Sequence, residues 1–125
     1  MIIKSKDSKE SELPVIDLVL GAEILGTEDI QKAKMMVQEL VKLLPSDLEK
    51  VKAAYDAKDN TQLKNITHYI KGGVSFCGTP RLKKAVVELD ELCNKTNSPI
   101  AIEAAYKNLC YEIEVLLTEY AKLTE

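Results

Sequence analysis

The chain has 125 residues, 46% of them apolar and 30% charged, enough for one domain around a single core and too few for a second. A net charge of -3 argues against binding the phosphate backbone of a nucleic acid. No apolar run approaches the ~18 residues that cross a bilayer, and the start Met1-Ile2-Ile3-Lys4 lacks the layout of a signal peptide.

Residues 1–12 include the run Lys4-Ser5-Lys6-Asp7-Ser8-Lys9-Glu10-Ser11-Glu12, polar and charged with no apolar periodicity. They read as a flexible tail or linker, too hydrophilic to offset the cost of ordering it. Residues 13–125 form the folded module. Structure is expected to begin near Leu13-Pro14-Val15-Ile16, with Asp17 capping a short helix that ends at Gly26. Thr27-Glu28-Asp29 reads as the next helix start, a capping hydroxyl followed by two acids. The apolar positions Ile30, Ala33, Val37, Leu40, Val41, Leu44, Leu48, Val51 and Tyr55 then keep one helical phase. Pro45 interrupts this run, and Ser46-Asp47-Leu48-Glu49 offers a capping box for a second helix. Because the stripe holds its phase across the proline, one long helix kinked at Pro45 is expected.

Asp56 to Asn60 is a short polar connection. A third helix carries Leu63, Ile66, Ile70, Val74 and Cys77 on its core stripe. Gly78-Thr79-Pro80 closes that helix and opens the next, with Thr79 as cap and proline at the first helical position. The fourth helix buries Leu82, Ala85, Val86, Leu89, Leu92 and Cys93. Asn94 to Ser98 is a loop, and Ser98-Pro99 repeats the cap-proline signal. The last helix buries Ile102, Ala105, Tyr106, Leu109, Ile113, Leu116, Leu117 and Tyr120. No segment alternates with period two. The expected fold is all-α, an antiparallel four-helix bundle preceded by a short N-terminal helix.

His68 is the one histidine of the chain. Lys64, His68, Lys71 and Ser75 follow i, i+4, i+7 and i+11 on the third helix and lie opposite Leu63, Ile66, Ile70 and Val74. The imidazole is therefore exposed. Near neutral pH a large fraction of such a side chain is neutral and nucleophilic without a general base. Lys71, one turn on, is placed to attract the charge of a phosphoimidazole, and Lys64 can add to the field. Gly72 and Gly73 each cost about 1 kcal/mol in a helix interior relative to alanine. A side-chain-free surface beside the imidazole lets a partner, or a neighbouring helix, come close.

His68-x-x-Lys71-Gly72, followed by Gly78 and then Arg81-Leu82, resembles the histidine-containing phosphotransfer (HPt) domain of bacterial multistep phosphorelays. The resemblance covers about residues 13–123 and is greatest to the C-terminal transfer domain of hybrid sensor histidine kinases. It implies a four-helix bundle whose exposed His68 accepts a phosphoryl group from a receiver-domain aspartyl phosphate and passes it to another receiver aspartate. Lys71 would stabilise the phosphate and Gly72 would permit close approach. Lys64, Tyr69, Gly73, Ser75 and Arg81 would contribute to binding, with Tyr69 and Phe76 as an apolar rim. Gly73 departs from the family pattern, where alanine or serine is common. The partners implied are response-regulator receiver domains, met transiently by a monomer. The receiver would supply magnesium, so no cofactor or metal is assigned to this chain.

The chain lacks the Gly-x4-Gly-Lys-Ser/Thr spacing of an ATP loop, so the expectation is a phosphotransfer intermediate without ATP-dependent kinase activity of its own. No second histidine exists for a metal site, and the cysteines lie outside ligand spacing. Cys77 is nine residues from His68 and on the core stripe, which excludes a cysteine–histidine nucleophile. Three widely spaced cysteines, each in an apolar helical pattern, suit a reducing cytosol. A cytoplasmic protein is expected, or the cytosolic end of a membrane-bound hybrid kinase. Lys64, Arg81 and Lys83-Lys84 also read as an ordinary solvated face, and Met35 and Met36 need no special role. The rival to the carrier is a non-catalytic helical adaptor that binds a receiver or another signalling protein. A bundle of unrelated function would leave the glycine pair unexplained.

Overall fold

A computed structural model gives the structure of residues 13–96 and 98–124. The charged segment 1–12 lies outside the described residues, as do Asn97 of the predicted loop and Glu125. Among the described residues five helices follow one another: α1 (Leu18–Leu25), α2 (Ile30–Asp56), α3 (Asn60–Val74), α4 (Pro80–Lys95) and α5 (Pro99–Leu123). No strand occurs among the described residues.

Short polar side chains set where the helices start. Asp17 caps α1 by accepting the Leu20 N–H at 2.9 Å, and Gly26 ends it at φ 74°, a left-handed conformation that costs glycine nothing. The cap of α2 is Asp29, which accepts the Gln31 N–H at 2.9 Å. The sequence places that cap at Thr27. In the structure the Thr27 hydroxyl accepts the Asp29 N–H at 3.1 Å instead, fixing the turn before the helix. Asp59 caps α3 through the Gln62 N–H, and Ser98 caps α5 through the Ala101 N–H.

Helix α2 runs unbroken through Pro45. The proline ring is exposed, while Leu40, Leu44, Leu48 and Val51 on either side of it are buried. Burial of this stripe, about 1.5–3 kcal/mol for each large side chain, outweighs the single backbone hydrogen bond that proline forfeits. The capping box after Pro45 goes unused. Asp47 is instead buried, and that burial raises its carboxyl pKa against the opposing field of Lys50.

Helices α2 to α5 each pack on the next, and α2 meets α5 to close the ring. The connections are short, so consecutive helices run antiparallel. The shared core includes Leu44, Leu63, Ile70, Leu82, Leu89, Leu109, Ile113 and Leu116. Ile30, expected in this core, is exposed because α2 begins there, at the end of the bundle. Tyr55 and Tyr106 stack in parallel with ring centroids 3.8 Å apart.

Helix α1 packs on α2 and is also tied to the turn after α3. The Asp17 N–H donates to the Gly78 carbonyl at 2.8 Å. A Cβ on Gly78 would run into the Asp17 carbonyl and lie 2.7 Å from the Gly21 nitrogen. Close approach of α1, not a left-handed helix end, is why glycine stands there: among the described glycines only Gly26 has a positive φ. Thr79 holds the cap position of α4, but its hydroxyl makes no cap bond and is buried without a partner. This corrects the capping role read from the sequence.

Candidate functional site

Leu63, Thr67, Ile70 and Val74 turn inward from α3, which leaves His68 on the outer face with 75% of its side chain exposed. It points to the side that faces α4. There Asp90, only 4% exposed, extends its carboxylate between the two helices. One oxygen, Oδ2, accepts from the Lys71 ammonium at 3.1 Å. The other, Oδ1, lies 3.7 Å from His68 Nδ1, beyond hydrogen-bond length, and has no hydrogen-bond partner. The carboxamide of Asn94 donates to the Asp90 backbone carbonyl at 2.7 Å and stiffens this turn of α4.

Lys71 is therefore not a free cation. One of its three donors is held by Asp90, while its side chain remains 37% exposed and able to offer the others outward. Ser75 is half-buried, and its hydroxyl donates to the Lys71 carbonyl at 2.8 Å, closing the last turn of α3. Lys64 is exposed one turn before His68. Its charge reaches Cys93, whose thiol pKa is raised by burial and by Asp90 and lowered by Lys64.

A Cβ added to Gly72 would meet nothing within 4 Å, and one on Gly73 would make only an ordinary 3.8 Å contact with Leu40. Neither glycine is required by helix packing. That discards the close-packing explanation of the pair and leaves an open surface beside the imidazole. Tyr69 and Phe76 are both exposed on the α2 side of this surface. Cys77 Sγ donates weakly to the Met36 carbonyl, and Gly73 lies against Leu40, so the register brings the exposed Leu43 level with Tyr69.

Arg81 is not brought to the site. It lies nine residues before Asp90 on α4, about 14 Å away at 1.5 Å per residue. Its guanidinium is held by the buried Glu112 of α5 at 3.0 Å, a hydrogen bond that raises its pKa. Cys77 is buried, and its thiol is pushed up to about 11, so it supplies no thiolate near neutral pH. Among the described residues no three His, Cys, Asp or Glu side chains are grouped to hold a metal ion. No helix among the described residues is long and apolar enough to cross a membrane.

Asp90 is the member of the cluster that sequence reading passes over. It stands four residues after Val86 and one after Leu89, on the buried stripe of α4. A carboxylate at such a position is itself a signal, since an unpaired charge is not left in a core.

The family model described as the Hpt domain matches residues 35–123. No curated protein matches the chain. Among solved structures, the chain is similar to the crystal structure of the HPT domain from a Shewanella sensor hybrid histidine kinase. The two share 18% sequence identity with a TM-score of 0.80, over 90% of this chain and 95% of that one. At that identity the likeness bears on the fold.

Proposed function

Because this chain belongs to the Hpt domain family, whose members carry phosphoryl groups in multistep phosphorelays, we propose that His68 is its phosphoacceptor. The observation that carries the reading is an exposed imidazole flanked by an ammonium and by a surface bare of side chains at Gly72. The imidazole takes the group from a receiver-domain aspartyl phosphate and delivers it to a second receiver aspartate. Lys71, held by Asp90 through one donor, turns another toward the arriving phosphoryl oxygens. In-line transfer of this kind depends on positioning and charge neutralisation rather than on covalent chemistry supplied by a cofactor. The receiver brings the magnesium ion.

Tyr69, Phe76 and Leu43 supply an apolar rim on the α2 side, with Lys64 and Lys71 on the α4 side. A small rim with polar flanks suits a transient contact, which a carrier needs in order to release one receiver and meet the next. The chain acts as a cytoplasmic monomer, or as the cytosolic end of a hybrid kinase, and does not use ATP.

The test is transfer of labelled phosphate from a receiver domain, with magnesium, to the native protein and to His68→Gln. Acid-labile, alkali-stable label on the native protein alone supports the carrier. Receiver binding without labelling, across a panel of receivers, replaces it with the adaptor reading.

A further inference from the structure

Helix α1 is held to the protein differently from the other four. It is 8 residues long, shorter than the roughly 12–15 that sustain a helix on their own. Only Gly21 and Ala22 of it are buried, Val19 and Ile24 are exposed, and none of the buried positions of the shared core comes from it. What fastens it is a close backbone contact at one place. A Cβ on Gly21 would lie 3.1 Å from the Ala33 Cβ and 3.2 Å from the Gly78 nitrogen, and the Gly78 carbonyl accepts the Asp17 N–H at 2.8 Å. Leu20 and Ile24 line, with Cys77, Pro80 and Val87, one cleft of about 580 Å³ between α1 and α4.

The segment that α1 grips, residues 75–79, joins the helix carrying His68 and Lys71 to the helix carrying Asp90. From this arrangement we propose that α1 is a strap. It opens as a unit while α2 to α5 stay folded, and only its seated position holds the 75–79 turn where Lys71 and Asp90 meet beside His68. The strap rests on the phosphocarrier reading for its effect on transfer, but not for its opening.

The free energy at which an element opens follows the buried apolar contacts that it gives up. Helices α2 to α5 would each give up several large core side chains, whereas α1 gives up two small residues and a few half-buried ones. Its departure also leaves the Gly78 carbonyl without its donor. The Thr79 hydroxyl caps nothing, so that side chain does not hold the turn in place of α1. Lys71 and Asp90 lie on either side of the turn and face each other at 3.1 Å, so a shift of the turn becomes a shift between them. Displacement by about 1 Å near the reacting atoms is already costly to transfer. Whatever binds or pulls the chain ahead of α1 acts first on this strap, which makes it a point of control over His68.

The experiment reads opening through Cys77, which is 3% exposed, by maleimide labelling of the full chain with Cys93 and Cys110 replaced by alanine. A urea series below the unfolding transition separates local from global opening. Native Cys77 is expected to label faster than global unfolding allows, with little dependence on urea. Asp17→Ala, which removes the α1 cap, should speed labelling about fivefold. Gly21→Val, a wedge against Gly78 and Ala33, should speed it roughly ten- to a hundredfold. Val19→Ala, on the exposed side of α1, should change it by no more than about twofold. With native cysteines, the variant carrying both Asp17→Ala and Gly21→Val should still melt cooperatively. The amide resonances of Lys71 and Asp90 should move in it while those of Leu109 and Ile113 on α5 stay, and phosphate acceptance from a receiver should slow roughly tenfold.

The strap is overturned if Cys77 labels only at the rate and urea dependence of global unfolding, because α1 then leaves only when the bundle melts. It is equally overturned if the double variant labels fast yet keeps native Lys71 and Asp90 resonances, or the native transfer rate, because α1 would then be a passive cover. Should the double variant fail to fold, Gly21→Val alone answers the same questions. Fast labelling and moved resonances in a protein that no receiver phosphorylates leave the strap standing and remove the phosphocarrier reading instead.

Discussion

Replacing Gly72 with alanine should make the protein more stable and slower at transfer. The glycine sits on α3, two residues before its last helical residue, and an added Cβ would enter open space. Nothing in the fold opposes the change, so the helix-propensity difference, about 0.8–1 kcal/mol, should be recovered almost in full. For a domain of this size that corresponds to a rise in melting temperature of about 3–5 °C. Gly72→Gln should stabilise by a similar amount while placing a flexible side chain beside the imidazole. Transfer from a receiver should then fall modestly for alanine and by about tenfold or more for glutamine, since roughly 1 Å of misplacement at the reacting atoms is already costly. Urea denaturation and phosphotransfer kinetics on the same samples supply both quantities. A destabilised Gly72→Ala would mean that the fold does need glycine. Native transfer by Gly72→Gln would mean that clearance beside His68 is not its function.

Gly78→Ala should behave in the opposite way. Its Cβ forces Asp17 and Gly21 away, so overpacking and the weakened Asp17–Gly78 bond together should cost about 2–4 kcal/mol by urea denaturation. Asp17→Ala, which removes only the α1 cap, should cost about 1 kcal/mol in the same assay. Arg81→Met should leave Glu112 buried and unpaired and cost about 3 kcal/mol, yet leave the extent of phosphate acceptance at His68 unchanged. A loss of acceptance in a folded Arg81→Met protein would return Arg81 to the binding surface. The buried Cys77 thiol keeps its proton to about pH 11, above the unfolded value near 9. Between those values the unfolded chain loses a proton that the folded one retains, so stability should fall as pH rises through that window. Cys77→Ala should flatten that slope in alkaline urea titrations.

The bundle could be read from the chain because its information is local and repeated. Among the described residues nineteen buried positions form one core, and most lie on stripes of 3.6-residue period that even Pro45 does not dephase. Placing His68, Lys64 and Lys71 needed no more than that, since a residue opposite a stripe faces outward. Apart from local details of the helix ends, such as the α2 cap at Asp29 rather than Thr27, the missed features depend on contacts between elements far apart in sequence. Gly78 is small because α1 returns to it from 61 residues upstream, as the Asp17–Gly78 bond records. Arg81 looks like a solvated charge until α5 supplies Glu112. Asp90 was hidden by the stripe itself: the pattern explains the apolar residues around it and is silent about the carboxylate among them. What makes that carboxylate part of the site is the α3–α4 register, and the turn through Gly78 and Thr79 sets it. Periodicity on one helix can state that a charge is buried; only the facing helix can state which cation, and which imidazole nitrogen, it is buried beside.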